Sequence, residues 1–169
     1  MEVLELEFFE YSKGLNVISE VDFAKILLRN TILTKFEYDE YLDRLRSRIT
    51  TPRGISLDEF KAFNIFLNDI DDFIVAVNMT KLSPGEELDK RFFRRAVTVV
   101  TGEEINPYVV DVVFALFDAD GNGTLSPQEF IAIMKDRLKR GFGKFPSIKG
   151  WKGFKHCLKK EIIKSTEKK

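Results

Sequence analysis

A short signature recurs along this chain and limits what it can fold into. ISEVDF at 18–23, ISLDEF at 55–60 and LSPQEF at 125–130 share an aliphatic residue, a serine, an acid three places on and then a phenylalanine. LDKRFF at 88–93 is a weaker fourth copy. The leading residues Ile18, Ile55, Leu88 and Leu125 lie 37, 33 and 37 residues apart. A repeat of that size fits a stacked helical solenoid or a set of paired helix–loop–helix units. The stretch that contains the last copy decides between them. Asp118–Glu129 reads DADGNGTLSPQE, with oxygen-bearing side chains at alternate places and a glycine in the middle.

That spacing is the twelve-residue EF-hand calcium loop. Ca²⁺ takes about six to eight oxygen ligands around one point. Asp118, Asp120 and Asn122 stand at positions 1, 3 and 5, and Gly123 at position 6 allows the sharp bend. Thr124 at position 7 offers its backbone carbonyl, Ser126 at position 9 acts directly or through water, and Glu129 at position 12 is long enough for bidentate closure. Solvated surface turns also gather Asp, Asn and Gly, but they rarely fill every ligand place with the glycine in register. VVDVVFALF before the loop and EFIAIMKDRL after it carry apolar residues at helical spacing.

The expected fold is therefore all-α: four helix–loop–helix units in two pairs, joined at their position-8 residues by short antiparallel β-bridges, with a basic C-terminal helix. The expected divisions are a degenerate pair at 1–70, a pair with one working loop at 71–140, and a basic segment at 141–169. The other three loops lack the ligands. The first (11–22) offers Tyr11, Lys13 and Leu15 at positions 1, 3 and 5, and the second (48–59) offers Arg48, Thr50 and Pro52. The third (81–92) offers Lys81 and Ser83 at positions 1 and 3 and Phe92 at position 12. An ammonium or guanidinium group in a carboxylate's place repels the ion, and an apolar position 12 removes the bidentate ligand. One Ca²⁺ site is expected, with Mg²⁺ able to occupy it at rest. Three acidic ligands put its affinity in the sensor range of roughly 10⁻⁷–10⁻⁵ M.

The net charge of zero hides a polarity. Residues 1–134 hold 14 Lys/Arg against 24 Asp/Glu, and residues 135–169 hold 13 against 3. The basic tail calls for an acidic partner: a protein surface, anionic lipid, nucleic acid or the chain's own acidic body. Lys152, Lys155, Lys159 and Lys160 are its candidate contact residues, and Trp151, Phe154 and Leu158 form a short apolar stripe among them. Cys157 is the single cysteine, which excludes an internal disulfide. Its lysine neighbours favour the thiolate, but an inert thiol on a helix face is an equal reading. With one histidine, His156, and no phosphate-cradling glycine loop, catalysis is not expected. No apolar run approaches the ~20 residues of a membrane span. The chain enters a helix-like EVLELEFFEY directly after Met1, as expected of a fragment.

LELEFFEYSKGLNVISEVDFAKILLR, GISLDEFKAFNIFLNDIDDF, RRAVTVVTGEEI and VVFALFDADGNGTLSPQEFIAIMKDRLKRGF resemble the C-terminal lobe of the mitochondrial calcium uptake (MICU) family. The likeness extends over nearly the whole chain and is closer to the paralogues than to the founding member. It implies a regulator of the mitochondrial calcium uniporter in the intermembrane space, peripheral to the inner membrane. It further implies a dimer with itself or a paralogue, in contact with the channel complex, that holds uptake shut until calcium rearranges it. Asp118, Asp120, Asn122 and Glu129 would be the family's second working loop, and Cys157 matches the cysteine that forms an intermolecular disulfide. The Lys-rich tail would then touch anionic lipid or the channel assembly, and no nucleic-acid partner is expected. The alternatives are a cytosolic EF-hand adaptor or buffer in which calcium only stabilises the fold, and a regulatory lobe cut from a calcium-dependent enzyme.

Overall fold

The structure, a computed structural model, describes residues 2–79 and 88–140. Each hand is helix, strand, helix. The first comprises α1 (Glu2–Ser12), β1 (Val17–Ile18) and α2 (Glu20–Leu28), and the second α3 (Lys35–Arg48), β2 (Ile55–Ser56) and α4 (Leu57–Asn68). The third comprises α5 (Ile70–Met79), β3 (Leu88–Asp89) and α6 (Lys90–Thr101), and the fourth α7 (Pro107–Phe117), β4 (Thr124–Leu125) and α8 (Pro127–Arg140). Strands β1 and β2 pair antiparallel with Ile18 opposite Ile55, and β3 and β4 with Leu88 opposite Leu125. The four position-8 residues thus meet in twos as the repeat requires, and all four are buried.

The rest of the signature has its own physical reason. The residue after position 8 caps the exit helix of each hand by accepting the N–H of position 12. Ser19 accepts from Asp22 at 3.0 Å, Ser56 from Glu59 at 3.3 Å, Asp89 from Phe92 at 2.5 Å and Ser126 from Glu129 at 3.4 Å. An oxygen there satisfies one of the donors that every helix start leaves open. This need does not depend on a metal, so a capping oxygen persists in hands without ligands.

The closing phenylalanine of each copy builds the core. Phe23 meets Phe60 with ring centroids 6.4 Å apart in the first pair, and Phe93 meets Phe130 at 5.6 Å in the second. Phe66 on α4 joins the two, lying 5.5 Å from both Phe63 and Phe93. Edge-to-face contacts of this kind add about 0.5–1.5 kcal/mol each beyond area burial. The pairs therefore share one hydrophobic cluster, which also takes in Phe114 and Phe117 at the end of α7. Only Asp69 separates α4 from α5.

Among the described residues, the first, second and fourth loops turn through glycine at positive φ. Gly54 has φ +80, and a Cβ there would stand 2.7 Å from Cγ2 of Val17. Its bareness is what lets the second loop lie on β1. Among the described residues no helix is long and apolar enough to cross a membrane. The basic helix expected near the C-terminus lies outside the described residues.

Candidate metal centre

Helix α7 delivers the first ligand. Asn106 caps its start and Pro107 takes the first turn, where a missing N–H costs nothing. Val109, Val110 and Val112–Phe117 are buried, so the helix is fixed in the core along its length. It ends at Asp118, whose N–H still bonds to the Phe114 carbonyl at 2.9 Å. Asp118 is only 6% exposed. Its carboxylate turns back over the loop, with Oδ1 accepting the Gly121 N–H at 2.6 Å and Oδ2 the Gly123 N–H at 2.9 Å. Gly121 and Gly123 reach these positions at φ +80 and +84, in the left-handed region that glycine enters without steric penalty.

The remaining oxygens follow in turn. Asp120 Oδ1 accepts the Asn122 N–H at 3.2 Å, and Asp120 Oδ2 accepts the Asn122 amide at 2.9 Å. Asn122 Oδ1 accepts the Thr124 N–H at 2.8 Å and the Thr124 hydroxyl. Glu129 stands exposed in the first turn of α8. Burial pushes the Asp118 carboxyl up, but the N–H bonds from Gly123 and Gly121 outweigh it, with Asp120 and the charge of Arg48 adding to them. The net effect holds Asp118 below its ordinary range, so it is ionised at neutral pH. Among the described residues no three acidic, His or Cys side chains are already drawn together as a metal cluster. Asp118, Asp120, Asn122 and Thr124 are gathered within the loop, while Glu129 is held by the helix that follows it. The donors are all hard oxygens, the position-1 carboxylate is charged, and the bend residue has the required backbone. This set fits Ca²⁺.

The comparisons agree with that geometry. The EF hand domain family matches residues 109–137. A crystal structure of EFHA2 in its Ca-binding state is 46% identical, with a TM-score of 0.73, covering 81% of this chain and 44% of that one. An apo structure of the mitochondrial calcium uniporter protein MICU2 is 38% identical, with a TM-score of 0.74, over 99% of this chain and 50% of that one. Calcium uptake protein 3, mitochondrial, of Mus musculus is 45% identical over 161 residues, 95% of this chain and 30% of that protein. Over nearly its whole length the chain is homologous to mitochondrial calcium uptake proteins. It spans about a third of the length of that curated relative.

In two of the loops without ligands, the position-12 acid is paired with a cation of the chain. Asp22, at position 12 of the first loop, bonds to Lys25 at 2.8 Å and to the Ser19 hydroxyl at 2.7 Å. Glu59, at position 12 of the second, pairs with Arg53 at 2.6 Å and returns to the Ser56 N–H at 2.9 Å. The first six residues of the third loop (81–86) lie outside the described residues, as do Cys157, Lys152, Lys155, Lys159 and Lys160.

Three groups that hold α7 were not legible beforehand. Arg48 and Arg44, one turn apart on α3, donate to carbonyls at the end of α7: Arg48 to Ala115 at 3.4 Å and to Asp118, Arg44 to Leu116 at 3.2 Å. Glu20 at the start of α2 is buried and accepts from Tyr108 on α7. The i, i+4 spacing of the arginines is visible in the chain, but only the docking of α3 on α7 shows what they bind.

Proposed function

We propose that this chain is the calcium-sensing part of a regulator of the mitochondrial calcium uniporter, a binding protein and not an enzyme. The observation that carries this is the loop at 118–129: a full set of oxygen donors in a segment 45% identical to a calcium uptake protein. Asp118, Asp120, Asn122, the Thr124 carbonyl, Ser126 and Glu129 would hold one Ca²⁺, with Mg²⁺ able to compete at rest. Bound calcium supplies a divalent charge that favours an arrangement in which all these oxygens face one point. Glu129 is the residue with farthest to come, because it opens α8 and is exposed. Any turn of Glu129 toward the loop is carried by α8, whose Phe130 is locked against Phe117 at 5.4 Å and Phe93 at 5.6 Å. The ion's differential affinity for the two arrangements sets how far the lobe moves.

The organisation that goes with this is a silent pair at 1–70, a sensing pair at 71–140 and a basic segment at 141–169. Homology to family members supports placement in the intermembrane space and a dimer with itself or a paralogue that meets the channel complex. Cys157 would supply an intermolecular disulfide, and Lys152, Lys155, Lys159 and Lys160 contacts to anionic lipid or to the channel. The test is calcium uptake by mitochondria in which the full-length protein carries Glu129→Lys. A shifted calcium threshold for uptake supports the reading, and an unchanged threshold contradicts it.

A further inference from the structure

The second loop binds no metal by its own residues, yet its first residue reaches the working one. Arg48 occupies the place of a position-1 ligand in its own hand, at the last residue of α3. Its guanidinium has turned outward to the neighbouring hand and donates to the carbonyls of Ala115 and Asp118. Nη2 lies against the calcium loop itself, 3.1 Å from where a Cβ on Gly121 would be. Asp118 is therefore a shared point: its carbonyl holds Arg48, and its carboxylate faces the loop interior through the Gly121 and Gly123 N–H groups.

We propose that Arg48 sets the calcium affinity of the 118–129 loop, holding it below what the loop's own ligands would give. This inference rests on the calcium reading above and adds its regulation by the silent hand. Two effects of the guanidinium must be separated. Its hydrogen bonds to the end of α7 satisfy open carbonyls and suit the negative end of the helix. Those bonds are made whether or not a cation is bound, so they cancel in the affinity. The repulsion between the guanidinium and an arriving divalent ion exists only in the bound state, so it does not cancel. A guanidinium lying against a loop that takes up a divalent ion near the surface weakens binding by roughly three- to tenfold at low salt.

The experiment is calorimetric Ca²⁺ titration of this chain as wild type, Arg48→Gln and Arg48→Lys, at low ionic strength and again at about 0.5 M salt, where screening shortens to a few ångströms. The expected result is that Arg48→Gln binds roughly three- to tenfold tighter than wild type at low salt, with the gap closing at high salt. Arg48→Lys keeps the charge without the planar fork and stays within about twofold of wild type. An Arg48→Gln variant that binds no tighter, a gap that ignores salt, or a Lys variant that tightens as much as Gln overturns the proposal. A purely structural role would give a salt-independent change shared by both variants. If Arg48→Gln does not fold, the Lys variant alone decides: affinity raised threefold or more is contrary, and affinity kept near wild type is supportive. Wild type that binds no calcium sinks the calcium reading and this one with it, whereas wild type that binds beside an unchanged Gln variant sinks only this one.

Discussion

The Tyr108 hydroxyl donates to Glu20 Oε1 at 2.5 Å, tying α7 of the fourth hand to α2 of the first. The same oxygen accepts the N–H of Arg53 at 3.0 Å and of Gly54 at 2.7 Å. A buried carboxylate thus fills the donors of the second loop, where a metal would otherwise organise the backbone. Hands that lack the usual calcium ligands still have to hold their shape, and Glu20 is one means by which they do.

Removing that carboxylate leaves the Gly54 N–H and the Tyr108 hydroxyl without their partner, while the Arg53 N–H keeps the Tyr108 oxygen at 3.2 Å. Glu20→Ala is expected to destabilise the chain by about 2–4 kcal/mol, because buried donors left unpaired cost more than the bond itself contributes. Urea unfolding followed by circular dichroism measures it. A change under about 0.5 kcal/mol would show that water replaces the carboxylate without loss.

The pH dependence follows from the same groups. Burial raises the Glu20 carboxyl, but the hydrogen bonds from Tyr108 and from the backbone of Glu20, Gly54 and Arg53 outweigh it and leave it below its ordinary 4.5. Glu59 is lowered in the same sense, burial opposing and the bonds from Arg53 and Ser56 prevailing. A carboxylate whose pKa is depressed on folding stabilises the fold above its unfolded value and loses that stabilisation as pH falls through the folded value. Metal-free stability from these groups is therefore level from neutral pH to near 4.5 and declines below it. Melting temperatures across pH 7 to about 3 test this, and the Glu20→Ala variant should show a shallower acid decline.

Gly54→Ala separates crowding from backbone strain. A Cβ at Gly54 meets Val17 at 2.7 Å and the Ile18 carbonyl at 3.3 Å, whereas one at Gly14 meets nothing within 4 Å, though both residues have positive φ. The Gly54 substitution should cost more than about 2 kcal/mol and the Gly14 one about 1 kcal/mol. Equal losses in denaturant midpoints would mean that β1 moves aside freely.

Phe66→Ala probes the joint between the two pairs. The ring is fully buried and touches Phe63, Phe73, Phe93 and Phe130. Truncation should cost about 3–5 kcal/mol, and the two pairs should unfold together if they share one core. Two separated transitions in a thermal scan would contradict that.

Much of this was written in the chain. Ile18, Ile55, Leu88 and Leu125 announced the strand pairing because position 8 must be aliphatic to bury the bridge. Asp118 to Glu129 announced the candidate ligands because hard cations restrict the residue types. What stayed hidden depends on how the hands pack. Arg48 read as a cation that repels calcium from its own loop, but nothing in the spacing shows that it serves the neighbouring hand, that Lys25 neutralises Asp22, or that Arg53 neutralises Glu59. Glu20 is one of two acids in the ISEVDF signature, with nothing in the sequence to set it apart. Its three donors come from residues 33, 34 and 88 places away, a relation that only tertiary folding creates.

The most direct test of the central claim, one calcium site beside three silent hands, is calorimetric titration of the chain with Ca²⁺, with and without millimolar Mg²⁺, alongside Glu129→Lys. The account predicts a single site in the range of about 10⁻⁷–10⁻⁵ M, retained in Mg²⁺ and lost in the variant. Two or more sites, binding that survives Glu129→Lys, or no binding at all would contradict it.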